Sequence, residues 1–362
     1  CGCRGRASGY ASQEAEATST TVPQLLESDT AETESTGSES TEAGTAEIDT
    51  HETETAEIEL KKLDYEIDFH VISPFLARYY DEQTIGLAHK VIDAFLNDEL
   101  ETDTPDVKRR DIESAHSLIR YMCPPFAAFC EIHYDMDFTT VVNKITWEYR
   151  IPREEIKKET ERFRLAVDKY MEDVYEGDTD AMKALSIYHA YCKNLEYDYD
   201  AYNVDEDASF YRTSPFCAIT DHTGVCYNIS EGLAFLYNMV GINAGSVGSY
   251  EGAGAHEWVI AQLDGQYYYF DATWESDHSE CDSLTYFAIT EEDRAGWAGG
   301  YPPESVVFAA VVPIEGEYDL SDARFEAIHG DAGACVKNVV LDHENLIAHI
   351  ETDSGTIDFD MR

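Results

Sequence analysis

Between Thr223 and Trp274 stand three side chains whose types suit acyl transfer: a thiol at Cys226, an imidazole at His256 and a carboxylate at Asp271. A thiolate attacks an amide carbonyl, an imidazole takes and returns the proton, and a carboxylate fixes the imidazole's tautomer. Cys226 follows Gly224-Val225 and lies in a run where Val225, Ile229, Leu233, Leu236 and Val240 recur at helical spacing, with Gly241 as a stop. That spacing predicts a helix with Cys226 in its first turn, where unpaired N–H groups and the positive dipole end favour the thiolate. Taken singly, each residue has a plainer role: an inert buried cysteine, a hydrogen-bonded strand histidine, a turn aspartate. Three of them in order, each in a suitable local context, point to a Cys-His-Asp site.

The second half of the stretch predicts its own register. His256 to Leu263 and Gln266 to Asp271 alternate in a strand-like way around Asp264-Gly265, a two-residue hairpin signal. With that pair as the loop, Leu263 faces Gln266, Trp258 faces Asp271, and His256 is the diagonal neighbour of Asp271 on one face. Diagonal neighbours lie about 7–8 Å apart at the backbone, within reach of an imidazole–carboxylate hydrogen bond.

The blocks Gly224-Val225-Cys226, Gly241-Ile242, His256-Glu257-Trp258, Asp264-Gly265-Gln266-Tyr267-Tyr268 and Asp271-Ala272-Thr273-Trp274 resemble, in the same order, the bacterial transglutaminase-like family. The resemblance spans residues 180 to 290 or so. It implies a papain-like fold, with Cys226 as nucleophile, His256 as base and Asp271 as its orienter. There are two departures: Asn228 where the family commonly has glycine, and Val259 where it commonly has Asn. Both bear on substrate fit more than on the chemistry.

The elements that must position these groups read as an α+β chain. By that resemblance its core is expected to be papain-like and transglutaminase-like, a nucleophile-bearing helix packed on an antiparallel sheet, with an N-terminal α/β accessory module. The expected divisions are a Thr/Glu/Ser-rich tether over 1–62, the accessory module over 63–151, the catalytic domain over 152–313 and a small β tail over 314–362. Apolar periodicity predicts helices over 81–95, 107–122 (stopped by Pro124-Pro125), 153–174 and 180–195, and strands over 145–151, 284–289 and 306–312. Thr290 is expected to cap a short helix, and the polar stretch 199–213 to fold over the site and supply, between Tyr197 and Tyr211, a second oxyanion donor beside the Cys226 N–H.

Composition narrows the partners. With 73 Asp and Glu against 25 Lys and Arg the formal net charge is −48, so nucleic acid, which is bound through cationic side chains, is not expected as a partner. Lys108-Arg109-Arg110 is the one basic cluster. No run approaches the ~18 apolar residues of a spanning helix. Cys1 followed by a polar tract instead resembles a lipid-anchored N-terminus, which implies an extracellular protein held to a bacterial membrane only through that lipid. The low hydrophobicity of the tract predicts disorder. Nine scattered cysteines, Cys3 without a role, do not form a complete disulfide framework. His189-x-x-Cys192 and His278-x-x-Cys281 lack the usual zinc spacing, and Asp198-x-Asp200 and Asp205-x-Asp207 lack the glycine and distal Glu of a calcium loop. No metal and no cofactor is expected. A monomer acting on a protein or peptide substrate is.

The implied chemistry is acyl transfer through a thioester on peptide or glutamine amides. Water as acceptor gives a peptidase or amidase, the favoured outcome because nothing marks an amine site, whereas a Lys amine gives a crosslinking transglutaminase. A non-catalytic surface module that binds peptide or wall material in the same cleft is the reading from another class.

Overall fold

The computed structural model describes residues 60–134, 141–202, 210–251, 254–276, 282–296, 299–309, 312–329 and 335–362. The expected lipid on Cys1, and the tether apart from its last three residues, fall outside them. Ser73 and Asp81 accept from Leu76 N–H and Thr84 N–H (3.2 and 2.7 Å) and so start α1 (Pro74–Tyr79) and α2 (Glu82–Leu96). The apolar face of α2 is buried through Leu87, Ala88, Val91, Ile92 and Phe95. Strand β1 (Glu101–Lys108) precedes α3 (Arg109–Met122). The helix expected from residue 107 therefore begins later, because Val107 and Lys108 pair with Val142 and Val141. Pro124-Pro125 ends α3 as expected but also opens α4 (Pro124–Phe129), since a proline at the first helical position has no N–H to leave unpaired. Strands β2 (Cys130–Tyr134) and β3 (Val141–Tyr149) complete an antiparallel sheet of order β1-β3-β2.

Two amphipathic helices follow, α5 (Arg153–Tyr170) and α6 (Asp180–Cys192), the latter capped by Thr179. Next come β4 (Glu196–Tyr197), α7 (Tyr199–Tyr202), α8 (Pro215–Thr220) and β5 (Thr223–Gly224), which pairs in parallel with β4. The long helix α9 (Cys226–Met239) then lies across β6 (Asn243–Ser249) and β7 (His256–Leu263). Asp264 and Gly265 both adopt positive φ (50° and 95°), the requirement of a two-residue primed turn, and lead into β8 (Gln266–Phe270). Leu263 pairs with Gln266 and the ladder runs to Val259 opposite Phe270, so the hairpin has the expected register.

After β8 come α10 (Ala272–Ser276), α11 (Glu291–Gly296), β9 (Val307–Phe308) and β10 (Val312–Pro313), giving an antiparallel sheet of order β10-β9-β6-β7-β8. Thr290 does cap α11, by reciprocal bonds with Asp293 of 3.0 Å each. The strand expected over 284–289 is absent. Phe287 N–H turns back to Leu284, Ala288 sits at φ 50°, and only Ile289 bridges to Tyr269. The tail forms an antiparallel sheet of β11 (Val336–Asp342), β12 (Ile347–Thr352) and β13 (Thr356–Asp360). His343 Nδ1 lies 2.7 Å from Asp178, and Thr179 Oγ1 donates to Met361 O at 2.9 Å, which ties this sheet to the start of α6.

Glu57–Arg362 form one compact unit. Strand β6 shows why: its sequence, Asn-Ala-Gly-Ser-Val-Gly-Ser, is poor in β-formers, but its glycines admit neighbours. A Cβ at Gly245 would stand 2.2 Å from the Phe75 ring, which reaches the sheet from α1. A Cβ at Gly248 would stand 2.7 Å from the Glu257 side chain. Gly245→Ala is therefore expected to overpack the α1–β6 contact and cost about 1–3 kcal/mol, read as a lowered urea midpoint. A loss below about 0.5 kcal/mol, typical of surface changes, would show that Phe75 is not confined there.

Candidate active site

Cys226 is the first residue of α9, so its backbone N–H has no acceptor within the helix. The turn before it is braced by Asn228, which is fully buried: its Oδ1 accepts from Val225 N–H at 2.8 Å and its Nδ2 donates to Ser214 O at 3.0 Å. The departure from glycine at this position thus serves as the cap of the nucleophile helix. Val259 is likewise buried, paired with Phe270 in the ladder.

The thiol's surroundings oppose the thiolate that the helix N-terminus favours. Burial pushes Cys226 up to about 11; the backbone N–H groups of Glu257 and Tyr227 pull the other way, and the carboxylates of Glu257 and Asp271 add to the rise. The helix dipole alone does not make a thiolate here. The thiolate forms at neutral pH only if its proton passes to a base that becomes positive beside it.

His256 opens β7 and Asp271 follows β8, and the hairpin register sets them on one face as expected. His256 Nε2 lies 2.7 Å from Asp271 Oδ2, with His256 only 7% exposed and Asp271 1%. Nε2–H donates to the carboxylate, which leaves Nδ1 as the proton acceptor. The other carboxylate oxygen accepts from Trp274 N–H at 3.0 Å. The imidazole is enclosed by Tyr301, stacked at 5.9 Å between centroids, and Trp274, edge-on at 5.7 Å.

A fourth residue, absent from the sequence reading, completes this group. Arg294 of α11 donates from Nη1 to the same Oδ2 of Asp271 at 2.8 Å and is 1% exposed. Its guanidinium lies 3.8 Å over the Trp258 ring and 4.9 Å over that of Tyr301. Burial opposes the charge on Asp271, but His256 and Arg294 together outweigh it and hold the carboxyl below its usual range. The only signal in the sequence is one cation after Glu291-Glu292-Asp293, on a helix that Thr290 caps.

Cys226 and His256 line a common cleft of about 370 Å³. One wall comes from the N-terminal part of the chain, through Tyr80, Arg120 and Tyr121; Glu231 of α9 and Glu257 of β7 form another. On the other side of His256, Tyr197 and Tyr199 join Thr273 and Trp274 around a smaller cavity of about 220 Å³. Within the stretch expected to supply an oxyanion donor, Tyr197 and Tyr199 therefore approach His256. Tyr211 instead accepts from Arg162 Nη2 at 2.7 Å, and 203–209 lie outside the described residues.

Among the described residues no group of three or more His, Cys, Asp or Glu is placed to hold a metal. His278 and Cys281 lie outside them, as do Asp205 and Asp207. Asp198 is paired with Arg212. Cys123, Cys130, Cys192, Cys217 and Cys226 are free, whereas Cys335 is disulfide-bonded. No described helix is long and apolar enough to cross a membrane.

Residues 168–272, which hold Cys226, His256 and Asp271, match the model of the transglutaminase-like superfamily, so this segment is a transglutaminase-like domain in a mixed helix-and-sheet chain. Similar solved structures include a TGase (14% identity, TM-score 0.31, covering 56% of this chain and 58% of that one). Another is a candidate cysteine protease from Cytophaga hutchinsonii (17%, 0.25, 40% and 62%). A third is a candidate protease from Parabacteroides distasonis (14%, 0.25, 40% and 37%). The match thus spans less than two thirds of each of these chains. No curated protein matches the sequence.

Removing Arg294 leaves a buried carboxylate with one partner fewer, so Arg294→Met is expected to cost about 3–5 kcal/mol in urea unfolding. The depressed Asp271 contributes stability above the ordinary carboxyl value of 3.8 that is lost as pH falls through its lower folded value. Without Arg294 the folded value rises, so acid unfolding followed by circular dichroism should begin at higher pH. Arg294→Lys, which keeps the charge, should recover part of both effects; an acid limb identical in wild type and Met variant would refute the pairing.

Proposed function

We propose that the chain is a cysteine-dependent acyl transferase that cleaves peptide or glutamine amides through a thioester, with water as the usual acceptor. The observation that carries this reading is the buried hydrogen bond from His256 Nε2 to Asp271 in a protein whose Cys226, first in its helix, lines the same cleft. Nδ1 of His256 takes the thiol proton, and the sulfur attacks the amide carbon. The oxyanion is met by the unpaired N–H of Cys226. The imidazolium then protonates the departing amine, leaving the acyl group on sulfur. Nδ1 next draws a proton from water, whose oxygen attacks the thioester carbon, and returns it to the leaving thiolate.

Transamidation needs only that an amine replace that water, so a crosslinking transglutaminase is the second reading within the same mechanism. A purely binding role fits the site less well. Asp271 is buried against both His256 and Arg294, and His256 lines the cleft, an arrangement that peptide recognition does not require.

Cys226→Ala should abolish turnover of a peptide library followed by mass spectrometry, with and without an added amine, while the melting temperature changes little. Asp271→Asn should lower kcat by roughly 10²- to 10⁴-fold and KM much less, because an amide presents its N–H to the ring and favours the wrong tautomer. Equal rates in wild type and Cys226→Ala would end the proposal.

A further inference from the structure

The inner end of the cleft beside Cys226 carries an uncompensated charge. Two carboxylates, Glu231 and Glu257, face it with one guanidinium, Arg120. Arg120 is committed to Glu231, donating through Nε at 2.9 Å and Nη2 at 2.5 Å, and it also donates to Thr213 O at 3.0 Å. Among the described residues the Glu257 carboxylate is met by one hydrogen-bond donor, the Ser246 hydroxyl at 2.9 Å. The Tyr80 hydroxyl, in the wall of the same cleft, is buried without a hydrogen-bond partner among the described residues. A half-buried carboxylate without a cation of its own and a buried hydroxyl lacking a bond are each unfavourable, and both are relieved by one ligand group that donates several hydrogen bonds and carries positive charge. Gly248 opposite Glu257 has no side chain to cover it: a Cβ there would sit 2.7 Å from Glu257 Cγ. Glu257 and Cys226 line the same cleft, and the Glu257 carboxylate acts on the charge of the Cys226 sulfur, so a group bound at that carboxyl lies close to the reacting atom.

We infer that this cleft receives a primary ammonium, held by the Glu257 carboxylate with help from the Tyr80 hydroxyl. The inference rests on the reading of Cys226 as nucleophile and names the substrate chemistry that the nucleophile meets. An ammonium there comes either from an acyl acceptor, a Lys-type amine that resolves the thioester, or from the acyl donor itself, a peptide with a free amino group near the reacting carbonyl. Its grip depends on pH. Burial and the neighbouring Glu231 push Glu257 up to about 7, against the Ser246 hydrogen bond and the Arg120 charge. The groups around it are thus Glu231, Arg120, Ser246, Tyr121 and the Cys226 thiol. Glu257 is protonated and weak as a cation site below that value, ionised and strong above it.

The test uses small alkylating probes, so that no natural substrate is needed. 2-Bromoethylamine and iodoacetamide each form one S–C bond with the thiolate and expel bromide or iodide. One delivers an ammonium and the other a neutral amide. Rates at Cys226 are read by peptide mass spectrometry and compared with those of N-acetylcysteinamide, a neutral free thiol. At pH 8 the bromoethylamine-to-iodoacetamide ratio at Cys226 should exceed that of the free thiol by on the order of tenfold. It should shrink at pH 6, fall to the free-thiol value in Glu257→Gln, and stay at the wild-type value in the exposed-site control Glu304→Gln. Tyr80→Phe, which deletes a hydroxyl unpartnered in the free protein, should fold normally and lower the ratio in part; it keeps the test decisive if the Glu257 variant does not fold. Protection of Cys226 from iodoacetamide then separates the sources. Cadaverine protects if the ammonium belongs to the acceptor; Ala-Gln amide, but not its N-acetyl form, protects if it belongs to the donor. A ratio equal to that of the free thiol, a ratio unchanged in Glu257→Gln, or the absence of protection by both probes would overturn the inference. The iodoacetamide rate by itself reports separately on whether Cys226 is activated, and hence on the proposed function.

Discussion

One oxygen atom, Oδ2 of Asp271, accepts from both His256 and Arg294 in a setting almost closed to water. A carboxylate buried this deeply is stable only if its partners are held in place, because a buried charge that loses a partner costs several kcal/mol. Much of the surrounding structure acts to hold them. The Asp264-Gly265 turn sets the register that puts His256 and Asp271 on one face. The Thr290–Asp293 cap starts the short helix that carries Arg294, and the rings of Trp258 and Tyr301 clamp the guanidinium.

This arrangement also decides how the thiol is used. Burial and two nearby carboxylates oppose the Cys226 thiolate, so in the proposed reaction the sulfur becomes a nucleophile as its proton moves to Nδ1 of His256. Asp271, ionised because Arg294 and His256 stabilise it, favours the imidazolium that results. The N-terminal part of the chain reaches the same cleft and sheet. Tyr80 and Arg120 wall the cleft, while Phe75 fills the space left by Gly245 in the central sheet.

What the sequence made legible was local. The helix that opens at Cys226, the hairpin and its register, and the Thr290 cap all follow from spacing and turn chemistry over fewer than about twenty residues. What it concealed depends on tertiary packing. Arg294 stands 23 residues beyond Asp271 in the chain, and no periodicity links a lone arginine among carboxylates to a buried ion pair. Strand β6 was hidden because its glycines are selected by Phe75 and Glu257, not by strand propensity. The apolar run from Leu284 to Ile289 reads as a strand, yet the left-handed backbone at Ala288 breaks it into a turn. The burial of the Cys226 thiol is hidden for a related reason: the helix N-terminus is visible in sequence, and the packing that opposes the thiolate is not.

The most direct test of this account is the pH dependence of Cys226 alkylation by iodoacetamide in wild type and in His256→Ala, read at the Cys226 peptide. If the thiol ionises by passing its proton to His256, the wild-type rate should reach a plateau in the neutral range. The variant should react slowly there and accelerate only as pH climbs toward about 11, the value set by burial. Superimposable profiles for the two proteins would contradict it.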